Sequence, residues 1–293
     1  MQWWVDLTEW WWIRLLLGAA GSAAITWYAY RRDSLSLSGA WSAAVMGTAY
    51  VTFGGPVWFG CLIVFFITST FWSRWKRRHR AKQQAEARYA KSGRRDAGQV
   101  WANGGLGLLL CLGHAAWPDP LWLYAFAGVM ASANADTWAT EIGALSRTAP
   151  RALVGGRPVS TGTSGGVTPL GSAAALAGAA VIGLTAAALG ALAPSSPGGD
   201  AAGTLAWSDA AVLAVIAAVA GLAGAFADSW LGAVWQVMFR CPACGTETER
   251  AEHCGNPAER IRGLRWLTND RVNLLASAAA GLLAALLGLW WLQ

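Results

Sequence analysis

Charge is what this chain has least of. Only 13% of its 293 residues are Asp, Glu, Lys or Arg, against 55% hydrophobic, where a soluble domain carries roughly 25% charged residues. An ordinary water-soluble globule is excluded. Histidine is scarce as well: the three are His79 in a basic stretch, His114 near a helix end and His253 beside Cys254. No Ser/His/Asp hydrolytic set is implied. No Walker A lysine follows the Gly/Ser/Thr stretch at 162–166, and no dinucleotide fingerprint is present. The first apolar run follows Trp3, Trp4, Trp10, Trp11 and Trp12 without a basic leader or a small-residue cleavage site, so it reads as a span and not a cleaved signal.

What is present is a series of apolar stretches of membrane-spanning length. They fall at 10–30, 38–54, 57–73, 99–117, 121–146, 166–192, 208–238 and 272–292. The second and third are short and meet at Gly54-Gly55-Pro56, which predicts a tight helical hairpin. The expected fold is all-α: one polytopic membrane domain over 1–293, with about eight transmembrane helices, some of them broken. Two polar connections stand out: a basic loop at 74–98 and a loop at 239–271 with a Cys/His cluster.

The distribution of basic residues fits that count. With the N-terminus outside, the inner segments are 31–37, 74–98, 147–165 and 239–271, and every one of the 22 Lys and Arg except Arg14 falls within them. The outer connections at 118–120 and 193–207 have none, the asymmetry that the positive-inside rule describes. Tryptophans mark both interfaces: Trp58, Trp117, Trp122, Trp207, Trp290 and Trp291 at outer ends, and Trp72, Trp75, Trp101, Trp235 and Trp266 at inner ends. The net charge of +6 therefore sets orientation and attracts anionic lipid, and no nucleic-acid partner is implied. The stretch 76–91 reads as a polar helical extension into the cytosol.

Of sixteen acidic residues, only Asp136, Glu141 and Asp228 lie well inside expected spans, all in the half nearer the cytosol. Intramembrane carboxylates are costly and usually functional, and hard cations such as Mg²⁺ take carboxylate and phosphate oxygens. Asp136 and Glu141 lie five residues apart, about 140° around a helix. Either the helix unwinds there or the two carboxylates have different roles. Asn134, Thr137 and Thr140 add oxygen ligands or donors nearby.

Gly162, Thr163, Ser164, Gly165 and Gly166 form a loop suited to cradling phosphate at the start of the 166–192 helix. Arg157 precedes it, and Arg94 and Arg95 open another helix next to Asp96. All three are candidates to meet an anionic substrate. A further polar knot, Thr268-Asn269-Asp270-Arg271-Val272-Asn273, reads either as a helix N-cap or as a cytosolic completion of the site by Asn269, Asp270 and Asn273. Asn103, four residues after Gln99, reads as interhelical glue or as a ligand. Cys241, Cys244, His253 and Cys254 offer the spacing of a structural Zn²⁺ site, with free thiols or a redox pair as the alternative.

Six segments, in order, resemble the ordered blocks of one integral membrane family. They are Ser36–Ala40, Gly93–Gly104, Ala135–Gly143, Gly162–Val167, Asp228–Ala233 and Asn269–Asn273, and the resemblance covers residues 34–290. The family's best-known member is the chloroplast phytyl-phosphate kinase of vitamin E synthesis, and an animal transmembrane protein is among its relatives. The resemblance implies Mg²⁺-dependent transfer of a phosphoryl group from a nucleoside triphosphate, CTP above all, to an isoprenyl monophosphate at the cytosolic leaflet. It places Mg²⁺ on Asp136, Glu141 and Asp228, with Arg157 as a catalytic cation. The phosphates would meet Arg94, Arg95, Asn103, Asn134, Thr137, the 162–166 loop, Asn269, Asp270 and Asn273. A CTP-dependent cytidylyltransferase acting on a lipid phosphate and a transporter are the alternatives.

Overall fold

The computed structural model describes residues 11–91, 93–192 and 205–293. Trp3, Trp4, Trp10 and most of the connection at 193–207 lie outside them. Nine α-helices follow in these residues: α1 (Trp11–Arg31), α2 (Leu37–Ala49), α3 (Gly55–Arg74), α4 (Arg80–Glu86), α5 (Ala97–Ala116), α6 (Pro120–Gly143), α7 (Pro169–Leu192), α8 (Trp207–Val234) and α9 (Asn269–Leu292).

Four stretches are long and apolar enough to cross a membrane by length and composition: 37–74, 169–192, 207–234 and 269–292. That is fewer than the eight expected. The helices α1, α5 and α6 have 21, 20 and 24 residues but are less apolar. The 37–74 stretch is a hairpin. A π-helical turn at Tyr50–Gly54 ends its first limb, and Gly55 starts the second with a left-handed backbone, φ 72°, that favours glycine. At the far end, Arg74 donates to Arg32 O and, at 2.8 Å, to Ser34 Oγ, so α3 returns to the segment that launches α2.

Helix starts follow local capping chemistry. Ser36 caps α2 by accepting from Gly39 N at 3.1 Å. Asp96 and Gln99 form a reciprocal capping box on α5, and Asp119 caps α6 ahead of Pro120 at the first helical position. The apolar run expected from 166 becomes helix only at Pro169, because Thr168 Oγ1 accepts from Gly171 N at 2.9 Å and fixes the start there. The long runs at 121–146 and 208–238 are unbroken single helices, α6 and α8, ending at Gly143 and Val234.

The alternating helices bring four connections to one end. Leu35 bridges Arg95, Glu249 N donates to Arg88 O, and Ser164 Oγ donates to Gln236 Oε1 at 2.8 Å. At the opposite end Trp291 Nε1 donates to Asp209 at 3.2 Å. The helix α6 is the hub. Every residue from Tyr124 to Ala135 is buried, and α3, α5, α7, α8 and α9 pack around it. Small residues allow that approach: Gly221 faces Ala131, Gly224 faces Ser132, and Gly128 faces Ala280 and Ala284. Enclosure ends at Asp136.

The polar connections add short strands to the all-α plan. Strands β1 (Arg151–Ala152) and β2 (Gly166–Val167) pair antiparallel. Strand β3 (Met238–Arg240) lies between β4 (Glu247–Thr248) and β7 (Glu259–Arg262), while β5 (Glu252–His253) pairs with β6 (Asn256–Pro257). The basic connection does not extend into solvent as expected. It folds back as α4, and Lys82 is only 1% exposed.

Candidate functional site

A cavity of about 520 Å³ opens where the four connections meet. It is walled by the ends of α3, α5, α6, α7, α8 and α9 and roofed by 82–95, 161–168 and Glu249. Fourteen of the residues expected to form a site line it: Asp136, Thr137, Glu141, Arg95, Asn103, Gly162, Thr163, Ser164, Gly165, Gly166, Asp228, Asn269, Asp270 and Asn273.

Asp136 and Asp228 come from neighbouring helices, α6 and α8. Asn273, with its amide turned to suit its neighbours, donates to Asp228 Oδ2 at 2.8 Å and Asn269 O at 3.2 Å. Glu141 has a different partner. Lys82 Nζ lies 2.7 Å from its Oε2 and 2.6 Å from Trp72 O. Since α6 runs unbroken through both carboxylates, their angular separation is real and they face different walls. The helix does not unwind between them.

Cations and polar groups fill the roof. Lys91 Nζ is 3.0 Å from Asp96 and 2.5 Å from Asp270, joining the starts of α5 and α9. Arg95 Nη1 donates to Thr70 Oγ1 at 3.3 Å and has no ion-pair partner among the described residues. Burial pulls this guanidinium below its ordinary pKa, and Glu141 opposes the shift. Arg95 is positioned by two backbone bonds of 3.0 Å with Ser34 and Ser36. That approach needs Gly39, since a Cβ there would lie 2.1 Å from Arg95 O. Glu249 accepts from Ala90 N at 3.0 Å and Gln236 Nε2 at 2.7 Å. Burial pushes its carboxyl above the ordinary value even so. Tyr89 is held protonated first by burial and then by Glu249, Glu141 and Asp136.

The glycine loop lines the cavity but does not form a helix N-terminus, because Gly166 and Val167 are strand β2. Gly162 and Gly165, both at φ 82°, press against Ala85 and Ala233, so the loop is clamped between α4 and the end of α8. Arg262 donates to Ser164 O at 3.4 Å and to Gly232 O at 2.8 Å, fastening the same joint.

Three expected residues lie elsewhere. Asn134 is fully buried, donating to Gly178 O at 2.7 Å and accepting from Thr68 at 3.0 Å, so it braces α3, α6 and α7. Arg94 pairs with Asp33 at the surface, and Arg157 is exposed on the 151–158 turn; neither lines the cavity. The structure adds Lys82, Tyr89, Lys91 and Glu249. Their sequence context, a run of charge in a connecting loop, matches that of any solvated segment, so only the fold reveals them.

A second cavity, of about 70 Å³, lies between α1, α2, α3 and α5 among Met46, Phe59, Leu62, Phe65 and Phe66. Arg95, Gln99 and Asn103 line both spaces. At the far edge of the roof, the ligand atoms of Cys241, Cys244, His253 and Cys254 all lie within 4.8 Å of one another. Hydrogen bonding by Thr246 draws the Cys244 thiol down to about 6.

Residues 20–281, which hold the whole of this cavity's wall, match the family model described as Integral membrane protein DUF92. The chain belongs to the DUF92 family. Among curated proteins, this DUF92 member is 30% identical to Protein PGR of Arabidopsis thaliana over 277 residues, covering 90% of this chain and 92% of the plant protein. It is 26% identical over 255 residues to an uncharacterized membrane protein of Methanocaldococcus jannaschii, covering 86% and 85% of the two chains. No solved structure matches it.

Proposed function

We propose that this DUF92 protein is a membrane-embedded lipid-phosphate kinase. It would transfer the terminal phosphoryl group of a nucleoside triphosphate, CTP in the first instance, to an isoprenyl monophosphate. The observation that carries the reading is the shared wall of the two cavities. A polar chamber with two convergent carboxylates and an arginine lacking an ion-pair partner among the described residues adjoins an apolar slot across Arg95, Gln99 and Asn103. A molecule with a phosphate head and a hydrocarbon chain would place its head in the chamber and the first carbons of its chain in the slot. The apolar slot lies against α1, α2, α3 and α5, so the hydrocarbon chain would enter there.

The donor set suits Mg²⁺: Asp136 and Asp228 supply carboxylate oxygens and Asn273 orients Asp228, leaving room for phosphate and water ligands. Bound there, Mg²⁺ would neutralise phosphate charge. Glu141, bound by Lys82, is assigned to holding the roof instead. Arg95 grips a phosphate with its planar fork, and the 162–166 loop lines the same space. A nonbridging oxygen of the monophosphate attacks the terminal phosphorus, the bond to the bridging oxygen breaks, and the nucleoside diphosphate departs. A phosphate nucleophile needs no strong base, so positioning and charge neutralisation suffice. The polar groups gather at one end of the bundle, which favours an enzyme over a transporter. In this reading α1–α3 and α5–α9 each cross the bilayer, with the N-terminus outside and the cavity facing the cytosol.

Purified protein given Mg²⁺, CTP and geranylgeranyl or phytyl monophosphate should form the diphosphate and CDP. Asp136→Asn should lower turnover at least about 100-fold while its thermal unfolding in detergent stays unchanged. Release of pyrophosphate in place of CDP would establish the cytidylyltransferase instead. Absence of any product across nucleotides and prenyl phosphates would overturn the assignment.

A further inference from the structure

We propose that Cys241, Cys244, His253 and Cys254 bind one Zn²⁺ ion, and that this centre fastens the roof of the cavity. The four ligand atoms come from two turns. Cys241 and Cys244 flank a turn in which Gly245 N donates to Cys241 O at 2.9 Å, and Gly245 takes φ 70°. His253 and Cys254 sit at the β5–β6 turn, where Gly255 takes φ 73°.

Neighbouring residues on an extended chain point in opposite directions, so an adjacent His–Cys pair is an awkward chelate. Here Cys254 adopts φ 53°, a left-handed conformation uncommon for a residue with a side chain. That turn brings its Sγ to 3.2 Å from His253 Nδ1. Cys244 Sγ lies 3.5 Å from the same nitrogen. Tetrahedral Zn²⁺ with Zn–S near 2.3 Å and Zn–N near 2.0–2.1 Å sets S···N separations of about 3.6 Å. Three sulfurs and one imidazole nitrogen are a soft donor set that favours zinc over Mg²⁺ or Ca²⁺. On binding, the cysteines give up their thiol protons to solvent.

The two ligand pairs bracket residues 245–252, and that bracketed stretch grips the segment covering the chamber. Thr248 Oγ1 donates to Arg88 O at 2.9 Å, Arg250 Nε to Tyr89 O at 2.8 Å, and Ala90 N to Glu249 Oε2 at 3.0 Å. Strands β4 and β5 have only two residues each, too short to hold this stretch by pairing alone. Closing the loop with a metal would hold it in place, independently of what the chamber binds.

The full-length protein, purified in detergent from zinc-supplemented cells, should carry about one zinc per chain by elemental mass spectrometry. Cys244→Ser/Cys254→Ser should carry less than a tenth of that. In the wild type, Co²⁺ exchanged for zinc should give the visible absorption of a tetrahedral cobalt–thiolate site. Stripping the metal with a chelator should speed tryptic cleavage after Arg88 or Lys91 several-fold, and added Zn²⁺ should reverse the change. Metal-free wild type in which Cys241, Cys244 and Cys254 all titrate as free thiols, or with a disulfide among these three cysteines, would overturn the zinc centre. A loaded protein whose cleavage rate ignores the chelated state would overturn its role in the roof.

Discussion

Lys82 carries a charge at 1% exposure, and two oxygens meet it: Glu141 Oε2 at 2.7 Å and Trp72 O at 2.6 Å. Removing one partner of a buried ion pair leaves the other charge desolvated, which costs about 3–5 kcal/mol, whereas replacing both with apolar groups is often nearly neutral. Glu141→Gln should therefore destabilise the protein by about 3 kcal/mol, at the low end because Glu141 keeps some contact with solvent. Lys82→Met/Glu141→Leu should recover most of that loss. Thermal unfolding in detergent measures both. If Glu141 were instead a metal ligand, the double variant would be stable yet wholly inactive; with the ion-pair role it keeps measurable turnover. At this scale the carboxylates of α6 and α8 were legible, because charge inside an apolar run has few benign explanations. Lys82 and Glu249 were not, because a lone charge within a basic or polar loop has many. Asn134 misled for the same reason that it is needed: an amide within a span satisfies itself against backbone and hydroxyls, and here those are Gly178 O and Thr68.

Among the elements, the start of α2 shows how a glycine outside the cavity fixes a cation that lines it. A methyl group on Gly39 would fall 2.1 Å from Arg95 O, while one on Gly21 in α1 meets nothing within 4 Å. Gly39→Ala should shift the 94–96 backbone, cost about 1–3 kcal/mol and raise the Michaelis constant for the phosphate substrate. Gly21→Ala should leave activity unchanged and stabilise by about 0.5–1 kcal/mol. Paired unfolding curves and kinetics on the two variants separate a local effect at Arg95 from a general intolerance of alanine. Helix positions were readable from apolar runs and the Gly54-Gly55-Pro56 turn, since length and hydropathy decide them. The 162–166 loop, expected at a helix N-terminus, does not sit at one. Pro169 and the Thr168 cap start α7 three residues beyond Gly166, and β1–β2 pairing takes up Gly166 and Val167. A short strand pairing depends on a partner far away in sequence, and no local pattern announces it.

Taken whole, the molecule places nearly all its basic residues at the cavity end, and a bilayer with anionic lipid on its inner face would set the orientation accordingly. Trp117, 75% exposed at the opposite end, and Gln84 on α4 offer a direct test. In intact cells, a membrane-impermeant thiol reagent should label Trp117→Cys and leave Gln84→Cys untouched until the membrane is permeabilised. The reverse pattern would place the chamber outside. The number of crossings is not legible from apolar runs alone, because α1, α5 and α6 have span-like lengths without the apolarity of the others. An enclosed helix such as α6 is shielded from lipid by its neighbours and can afford polar residues that a lipid-facing one cannot.

Under the proposed reaction, the slot behind Arg95 would make one reactant a resident of the membrane and the other a solute. Encounter with the first is then a search in two dimensions, governed by its mole fraction among the lipids and not by its amount per volume of medium. A cell could throttle such an enzyme by expanding or diluting its bilayer, with no change in the protein, in the nucleotide pool or in the total quantity of lipid phosphate.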